Sequence, residues 1–517
     1  MLKRTPTGTW LPAWVPESTL TLSFLLLFCS TVQSTTSGYD GSMLNGLNIL
    51  PSYTDYFQLT PATTGLNTAS VFIGTTFGTL ISGILTDTWG RRPTIFWASI
   101  VTLVGVALQG AAQNIAMFVV ARIILGFGIA MSGVSSGVYL SEVFPSRWRT
   151  WGVGLLNDFY YVGALIAAGI TLGTGQWQST WAWRAPSLIQ GIFSIFCIVI
   201  LPFVPESPRW LVHEGYFDYA RTSVAQTNTN GDALDPVAVA IYKEILDTLE
   251  WEKKEGRTMS PKEIFKTPTA RKRLLIGMSV GPFSCIAGNI IASYYLNNEL
   301  TMAGISDTND QLKANVVLNV FCLLCSLVGS YLSGKAGRKP TAIISQTLLI
   351  IFLFIIGGLT KIYGDNPLGA SKSLVYGNVA VIFLFQGAYS LAWTPLLYLY
   401  PPEVFSVRPQ NLIYSIRANG LAFSTLALNL LACVLVYVMP IGLTNIGWKM
   451  YMINGSWDII VLVLIIVFWI ETKGRTLEEI DAIFDGEKHS SVPDVEMIRA
   501  GQATIDVGAI EQELKSE

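Results

Sequence analysis

Apolar residues in this chain come in long blocks, not in the alternation of surface strands or the narrow stripes of soluble helices. A helix needs about 20 apolar residues to cross a bilayer. Reading at that length gives twelve candidate spans, centred near residues 28, 77, 103, 127, 161, 193, 285, 322, 350, 385, 425 and 459. Six precede a polar segment and six follow it, which predicts two similar halves. The expected boundaries are a tail over 1–18, a first six-helix half over 19–204, a linker over 205–272, a second half over 273–470 and a tail over 471–517. The first and seventh spans are rich in Gly, Ser and Asn and are expected to face the bundle interior. In the linker, Val239-Ala240-Ile241 through Ile245, Leu249 and Trp251 keep helical periodicity, predicting a helix with one apolar face against the bundle. The tail from Glu471 begins helix-like (Leu477, Ile480, Ile483), then turns acidic and poor in aromatics, the composition of a disordered segment. The N-terminal tail is polar, and no small-residue cleavage site follows the first span, so a cleavable signal peptide is not expected.

Composition agrees with a membrane protein. Hydrophobic residues make up 51% of the chain and charged ones 13%, about half the charge of a soluble protein. The mean hydropathy is +0.47. The net charge of −2 offers no electrostatic reason to bind nucleic acid. The charges also set an orientation. With the N-terminus cytoplasmic, only Arg184, Lys313, Lys361, Lys372 and Lys449 fall outside, and Arg122 lies within the membrane. Arg91-Arg92, Arg147 with Arg149, Lys335-Arg338-Lys339, and Arg408 with Arg417 then occupy inner loops, as the positive-inside rule requires. Both termini are expected in the cytoplasm of a multi-pass protein, with the plasma membrane as its site. All six cysteines (Cys29, Cys197, Cys285, Cys322, Cys325, Cys433) lie in apolar spans and are expected to be buried free thiols. His213 and His489 fall in inner segments, so an intramembrane proton carrier must be an acid.

Two charges inside apolar spans carry the candidate chemistry. Asp40 follows Gly38-Tyr39 in the first span, and Arg122 follows Phe118-Val119-Val120-Ala121 in the fourth. An isolated charge at bilayer depth costs about 2.5–3.5 kcal/mol, so such groups pair or line an aqueous path. An acid and a base in separate spans suggest a buried, switchable pair, as a transport machine requires; a static pair holding the bundle together is the alternative. The halves also repeat. Gly83-x-x-x-Asp87-x-x-Gly90-Arg91-Arg92 after the second span answers Gly337-Arg338-Lys339 after the eighth. Ser141-Glu142-Val143-Phe144-Pro145 after the fourth answers Pro402-Glu403-Val404-Phe405-Ser406 after the tenth. Tight glycine turns bring helix ends together there, and arginines meet acids at the inner face.

Together with Gly126, Gly128, Arg149, Pro205-Glu206-Ser207-Pro208-Arg209-Trp210-Leu211 and Glu471-Thr472-Lys473-Gly474-Arg475, these motifs resemble the sugar porters of the major facilitator superfamily. The similarity runs from about residue 20 to 485. Gly288-Asn289 with Ser293-Tyr294-Tyr295 is most similar to the fungal lactose and cellodextrin permease branch. The resemblance implies an all-α membrane protein with twelve transmembrane helices in two six-helix halves, a cytoplasmic helical linker, and alternating access. It also implies that Asp40 carries a proton and Arg122 senses it. Gly83, Asp87, Gly90, Arg91, Arg92, Glu142, Arg149, Glu206, Arg209, Arg338, Glu403, Arg417 and Glu471 would form the inner gating motifs.

The substrate region departs from the family. Asn157 stands for the fifth-span glutamine, with Asp158 beside it, and Ser284-Cys285 replaces the seventh-span Gln-Gln. Ile290 takes the usual Asn position one residue after Asn289. Tyr398 takes the tenth-span Trp position with Trp393 before it, and Cys322 an Asn position one turn from Asn319. Gly334, Gly137 and Ile470 replace the family's Asp, Pro and Pro. The candidate cavity groups are Asn157, Asp158, Tyr161, Asn289, Tyr294, Tyr295, Asn319, Trp393, Tyr398 and Asn429. Asp158 could bind a substrate hydroxyl, share the proton, accept a cationic group, or hydrogen-bond Tyr160, Tyr161 or a neighbouring helix. Asp458 is expected to be structural. The expectation is proton-coupled symport of a di- or oligosaccharide, or of a hexose or polyol, by a protein that works as a monomer, needs no cofactor and is not an enzyme. A uniporter in the same fold, a carrier of a non-sugar metabolite and a nutrient sensor are the rivals.

Overall fold

Within a bilayer no water can satisfy backbone polar groups, so each apolar run must close its own hydrogen bonds as a helix. The computed structural model agrees. It describes residues 2–5, 7–145, 149–254, 268–290, 296–302, 304–305, 307–365, 371–404 and 416–473, with a few positions between 498 and 510. The first half comprises α1 (Thr19–Ile49), short α2 (Pro51–Phe57), α3 (Pro61–Trp89), α4 (Arg91–Gly110), α5 (Ile115–Val143), α6 (Arg149–Thr174), α7 (Trp181–Ile189) and α8 (Gly191–Ile200). The linker holds α9 (Pro208–His213), α10 (Phe217–Asn228) and α11 (Pro236–Lys254). The second half comprises α12 (Pro268–Ser284), α13 (Leu296–Met302), α14 (Thr308–Ala336), α15 (Arg338–Asp365), α16 (Lys372–Val404), α17 (Ile416–Ile446) and α18 (Lys449–Phe468).

Eleven segments among the described residues are long and apolar enough to span a membrane, one of them running through α7 and α8 as Trp181–Phe203. The expected seventh span is different: its apolar helix, Leu274–Asn289, is shorter. It ends in a wide turn over Cys285–Asn289, where Gly288 takes φ 86°. A left-handed residue there breaks the helical ladder, which glycine tolerates at low cost.

Within the first half, α3 and α4 pack on α5, and α1 packs on α6; within the second, α15 packs on α16 and α18, and α14 on α16. The halves meet along α3 with α17 and along α6 with α14 and α16. Gly38 and Gly163 set the crossing of α1 over α6: a Cβ at Gly38 would lie 1.8 Å from Tyr160 O, and one at Gly163 would lie 1.9 Å from Thr35 O. Only bare backbone permits that approach, and it seats Asp40 at the centre of the bundle.

One segment is more structured than its polar composition announced, and one expectation is corrected. The tail over 1–18 contains an antiparallel hairpin of β1 (Leu2–Thr5) and β2 (Ala13–Pro16), at the near face where α1 begins. Leu11, Ala13 and Val15 join the apolar cluster of Leu22 and Leu26, and Arg92 donates to Leu11 O (3.1 Å) and Pro12 O (2.8 Å). Buried backbone acceptors and period-2 burial thus order this polar tail. The linker holds three helices, the expected one being α11, with a small core of its own from Trp210, Leu211, Val224, Tyr242 and Ile245. The apolar face of α11 therefore meets α9 and α10. Trp210 ties this unit to the bundle by donating its indole N–H to Asp87 O (2.8 Å). Leu477, Ile480 and Ile483 lie outside the described residues.

Candidate functional site

The two intramembrane charges meet. Arg122 of α5 donates to both carboxylate oxygens of Asp40, Nη1 to Oδ1 at 2.9 Å and Nη2 to Oδ2 at 3.0 Å, a fork-on-fork pair. Arg122 Nε donates to Asn67 O (3.0 Å), and Gln190 Nε2 donates to Asp40 Oδ1 (3.3 Å). Gln190 sits at the junction of α7 and α8, and Tyr39 O–H donates to Pro186 O one turn earlier (2.9 Å), pinning that junction to α1. The Arg122 side chain is fully buried and that of Asp40 is 4% exposed. Desolvating two charges is expensive, and such a pair persists only with good geometry and extra hydrogen bonds. Both are present.

Asp40 also lines a cavity of about 180 Å³ between the halves. Its polar wall comes from Gln33, Ser34 and Ser37 of α1, Thr75 of α3, Asn157 of α6, Tyr398 of α16, and Ser424, Thr425 and Asn429 of α17. Phe72, Val134, Leu397 and Leu428 supply apolar surface. A smaller void of about 20 Å³ lies toward the far face, among Ser42, Asn45, Tyr161, Asn315, Asn319 and Gln386, with Tyr160 shared between the two. Hydroxyls and amides beside apolar faces suit a neutral molecule with many hydroxyl groups.

The near face holds the repeated motifs. Arg91 forks onto Glu142 (Nε to Oε2 3.0 Å, Nη2 to Oε1 3.2 Å), reaches Asp87 at 3.5 Å and donates to Thr86 O. Ser207 O–H donates to Glu142 Oε2 (2.6 Å), and Tyr139 O–H to Pro205 O. Glu206 accepts the backbone N–H groups of Arg91 (3.1 Å) and Arg92 (3.3 Å) and so caps α4. Burial pushes the Glu206 carboxyl above its ordinary range, while the Arg92 guanidinium and the Ser207 N–H pull it back. The second half repeats the device. Glu471 accepts from Arg338 N and Lys339 N, both at 3.0 Å, and caps α15. Gly90 (φ 91°) and Gly337 (φ 106°) precede the two capped helices. A Cβ would stand 3.1 Å from Glu206 at the first and 2.5 Å from Glu471 at the second.

The model of the sugar (and other) transporter family matches residues 26–484. The chain belongs to this family. Among curated relatives, the MFS-type transporter criB of Aspergillus cristatus is 28% identical over 466 residues, covering 89% of this chain and 94% of the relative. The high-affinity glucose transporter of Kluyveromyces lactis is 27% identical over 476 residues, covering 89% and 85%. Among solved structures, the proton:xylose symporter XylE bound to 6-bromo-6-deoxy-D-glucose superposes with a TM-score of 0.75 at 21% identity, covering 90% of this chain and all of that one. The fold is that of the major facilitator superfamily, and the protein is a multi-pass membrane transporter of the sugar porter family, not an enzyme.

In this transporter the expected cavity residues divide. Asn157, Tyr398 and Asn429 line the larger cavity, and Tyr161 and Asn319 the smaller. Their polar atoms are partly engaged: Asn157 Nδ2 donates to Thr394 O (2.7 Å), Asn429 Nδ2 to Thr79 Oγ1 (3.2 Å), and Asn319 Nδ2 to Ser42 Oγ (3.3 Å). Trp393 is corrected. It is fully buried within the second half, donates to Gln346 Oε1 (3.0 Å) and packs edge-on against Trp469, because its face of α16 points away from the cavity. Asn289 accepts from Gln386 Nε2 (2.6 Å) and lines neither cavity. Asp158 is fully buried against Ser330 of α14 and lines neither. Tyr294 and Tyr295 lie outside the described residues, as do the side chains of Arg149, Glu403 and Arg417. Arg209 is half-buried on α9, and Gly83 is buried on α3. Sequence reasoning missed Gln33, Ser34, Ser37, Asn67 and Gln190. The spacing of Gln33, Ser37 and Asp40 on one helical face carried the signal for the first span. All six cysteines are free.

Proposed function

We propose that this porter couples inward movement of a sugar-like polyol to protons by alternating access, with the near face and both termini in the cytoplasm and the plasma membrane as its site. The observation that carries the reading is that Asp40 lines the central cavity while clasped by Arg122. A proton arriving through the cavity reaches the carboxylate before the arginine. Neutralising Asp40 removes one charge of the pair, and Arg122 keeps only Asn67 O as a fixed acceptor. The pair that joins α1 to α5 then loosens, which biases the equilibrium between outward- and inward-open forms. Deprotonation toward the cytoplasm restores it. Two relatives named as glucose transporters support a sugar, and the amide and hydroxyl lining supports a neutral one. A disaccharide or longer oligosaccharide, in keeping with the resemblance to lactose and cellodextrin permeases, is tested beside hexoses and polyols.

The test is uptake into proteoliposomes of radiolabelled lactose, cellobiose, glucose, xylose and inositol, with and without an inward proton gradient. Accumulation above equilibrium that requires the gradient and disappears in Asp40→Asn is the expected result. Uptake that ignores the gradient makes the protein a uniporter with a structural ion pair. No uptake of any sugar by folded protein sinks the substrate class.

A further inference from the structure

A second acid is buried where the halves meet, and nothing in the coupling scheme uses it. Gly154, Asn157, Asp158 and Tyr161 recur at i, i+3, i+4 and i+7 on α6, so they form one helical face. Each meets the second half. Gly154 lies against Ser330 of α14, Asn157 donates to Thr394 O of α16, and Tyr161 OH is 2.7 Å from Ser390 Oγ of α16. Between them, Ser330 Oγ donates to Asp158 Oδ2 at 2.5 Å, while Asp158 Oδ1 is buried without a hydrogen-bond partner. Ser326, one turn before Ser330, is the second hydroxyl beside the carboxyl, and its own hydrogen bond goes to Leu323 O.

Among the described residues no charge compensates this carboxyl. From α1 comes Asp40, held by Arg122, and from α5 Glu142, held by Arg91. From α7 comes Arg184, bonded to Gly110 O at the far face, and α16 brings Tyr398 at the cavity. From α14 come Cys322, a free thiol buried beside Tyr161, the part-buried free thiol of Cys325, the exposed Tyr331, and Lys335 lying over the Tyr331 ring. Among the described residues Asp158 makes no ion pair. Burying an ionised carboxylate costs more than one hydroxyl returns, whereas the neutral acid fits the site with a single hydrogen bond.

We propose that Asp158 is a second proton-binding site, loaded when the α6–α14 seam is shut and emptied when the seam opens to water. Asp158 lies toward the near-face end of α6 and Ser330 toward the near-face end of α14, so the seam shields the acid from that side. Each closing takes a proton from the near-face solution and each opening returns it there. The site therefore adds nothing to the transport stoichiometry. It makes the seam a sensor of near-face acidity: acid holds the two halves together. The inference rests on the alternating-access reading but not on the identity of the sugar or on the role of Asp40.

The test needs no sugar. Spin labels go on Thr88→Cys and Ala336→Cys, exposed at the near-face ends of α3 and α14, with Cys325 and Cys433 replaced by Ala. Distances are measured in lipid nanodiscs across a pH series. The expected result is a shift toward the open distribution as pH rises, retained in Asp40→Asn and absent in Asp158→Asn, which stays closed throughout. Infrared spectra should show a protonated-carboxyl band at low pH that Asp158→Asn lacks. If Asp158→Asn does not fold, Ser330→Ala serves: the closed, protonated form loses its one hydrogen bond, so opening moves to lower pH. Identical pH responses in wild type and Asp158→Asn, or an unmoved opening pH in Ser330→Ala, overturn the proposal. Loss of the shift in Asp40→Asn alone would assign the response to the first pair instead.

Discussion

At the scale of residues, the Asp40–Arg122 pair shows why an intramembrane charge is informative. Each residue alone would be a burden on its helix, and together they form two short parallel hydrogen bonds. Removing Arg122 leaves a buried carboxylate whose remaining partner is Gln190. Arg122→Ala should therefore cost about 3–5 kcal/mol of stability, read as a lower unfolding temperature in detergent. Adding Asp40→Asn should recover much of that loss. A double variant no more stable than Arg122→Ala would show that the two side chains are not energetically coupled. The pairing was legible in the sequence because two opposite charges in apolar spans have few other places to go. Gln190 was not legible, since an amide near a span's centre looks the same whether it meets a ligand, a charge or a backbone carbonyl.

At the scale of elements, the same cap appears twice: a glutamate beyond the sixth or the last span accepts the first N–H groups of α4 or α15. A carboxylate suits a helix N-terminus because the unpaired N–H groups carry partial positive charge. Gly337→Val should disrupt the second cap, since a Cβ there would lie 2.5 Å from Glu471 and the backbone is at φ 106°. Trypsin sensitivity around Arg338 and Lys339 would report it. Glu206 adds a pH dependence. Burial raises its carboxyl above the ordinary value of 4.5 in the folded protein. Its contribution to stability is therefore full at acid pH and lost as pH rises from about the unfolded value through the folded one. Unfolding temperature should fall over that window in wild type and be flatter in Glu206→Gln; parallel curves would remove Glu206 as the cause. The family resemblance named these glutamates in advance as gating residues. It did not tell that the glutamates bind backbone N–H groups, because which group an acid meets depends on how the last span of each half returns.

For the molecule as a whole, α3 with α17 and α6 with α14 and α16 form the lines along which the halves must separate for transport. Asn429 Nδ2 and Thr79 Oγ1, 3.2 Å apart across the first line, mark a place to lock it. Thr79→Cys with Asn429→Cys should form a disulfide under mild oxidation, abolish uptake and regain it on reduction. Full uptake with the cross-link in place would mean that the α3–α17 contact does not have to open.

Length and spacing of apolar runs determined the place of the spans, because the bilayer forces any such run into a helix whatever its neighbours are. All twelve expected centres fall in helical segments, with the seventh in the wide turn after a shorter apolar helix. The motifs likewise determined the family and the two intramembrane charges. Which face of each helix looks inward was decided only by packing. Trp393 and Tyr398 sit on the same helix, yet one is sealed in the core and the other lines the cavity. Apolar spans are apolar nearly all round, so their sequence carries little rotational signal. The hairpin before α1 and the three-helix linker also awaited tertiary structure. Their few apolar residues become a core only when Arg92, Trp210 and the ends of the bundle supply the other wall.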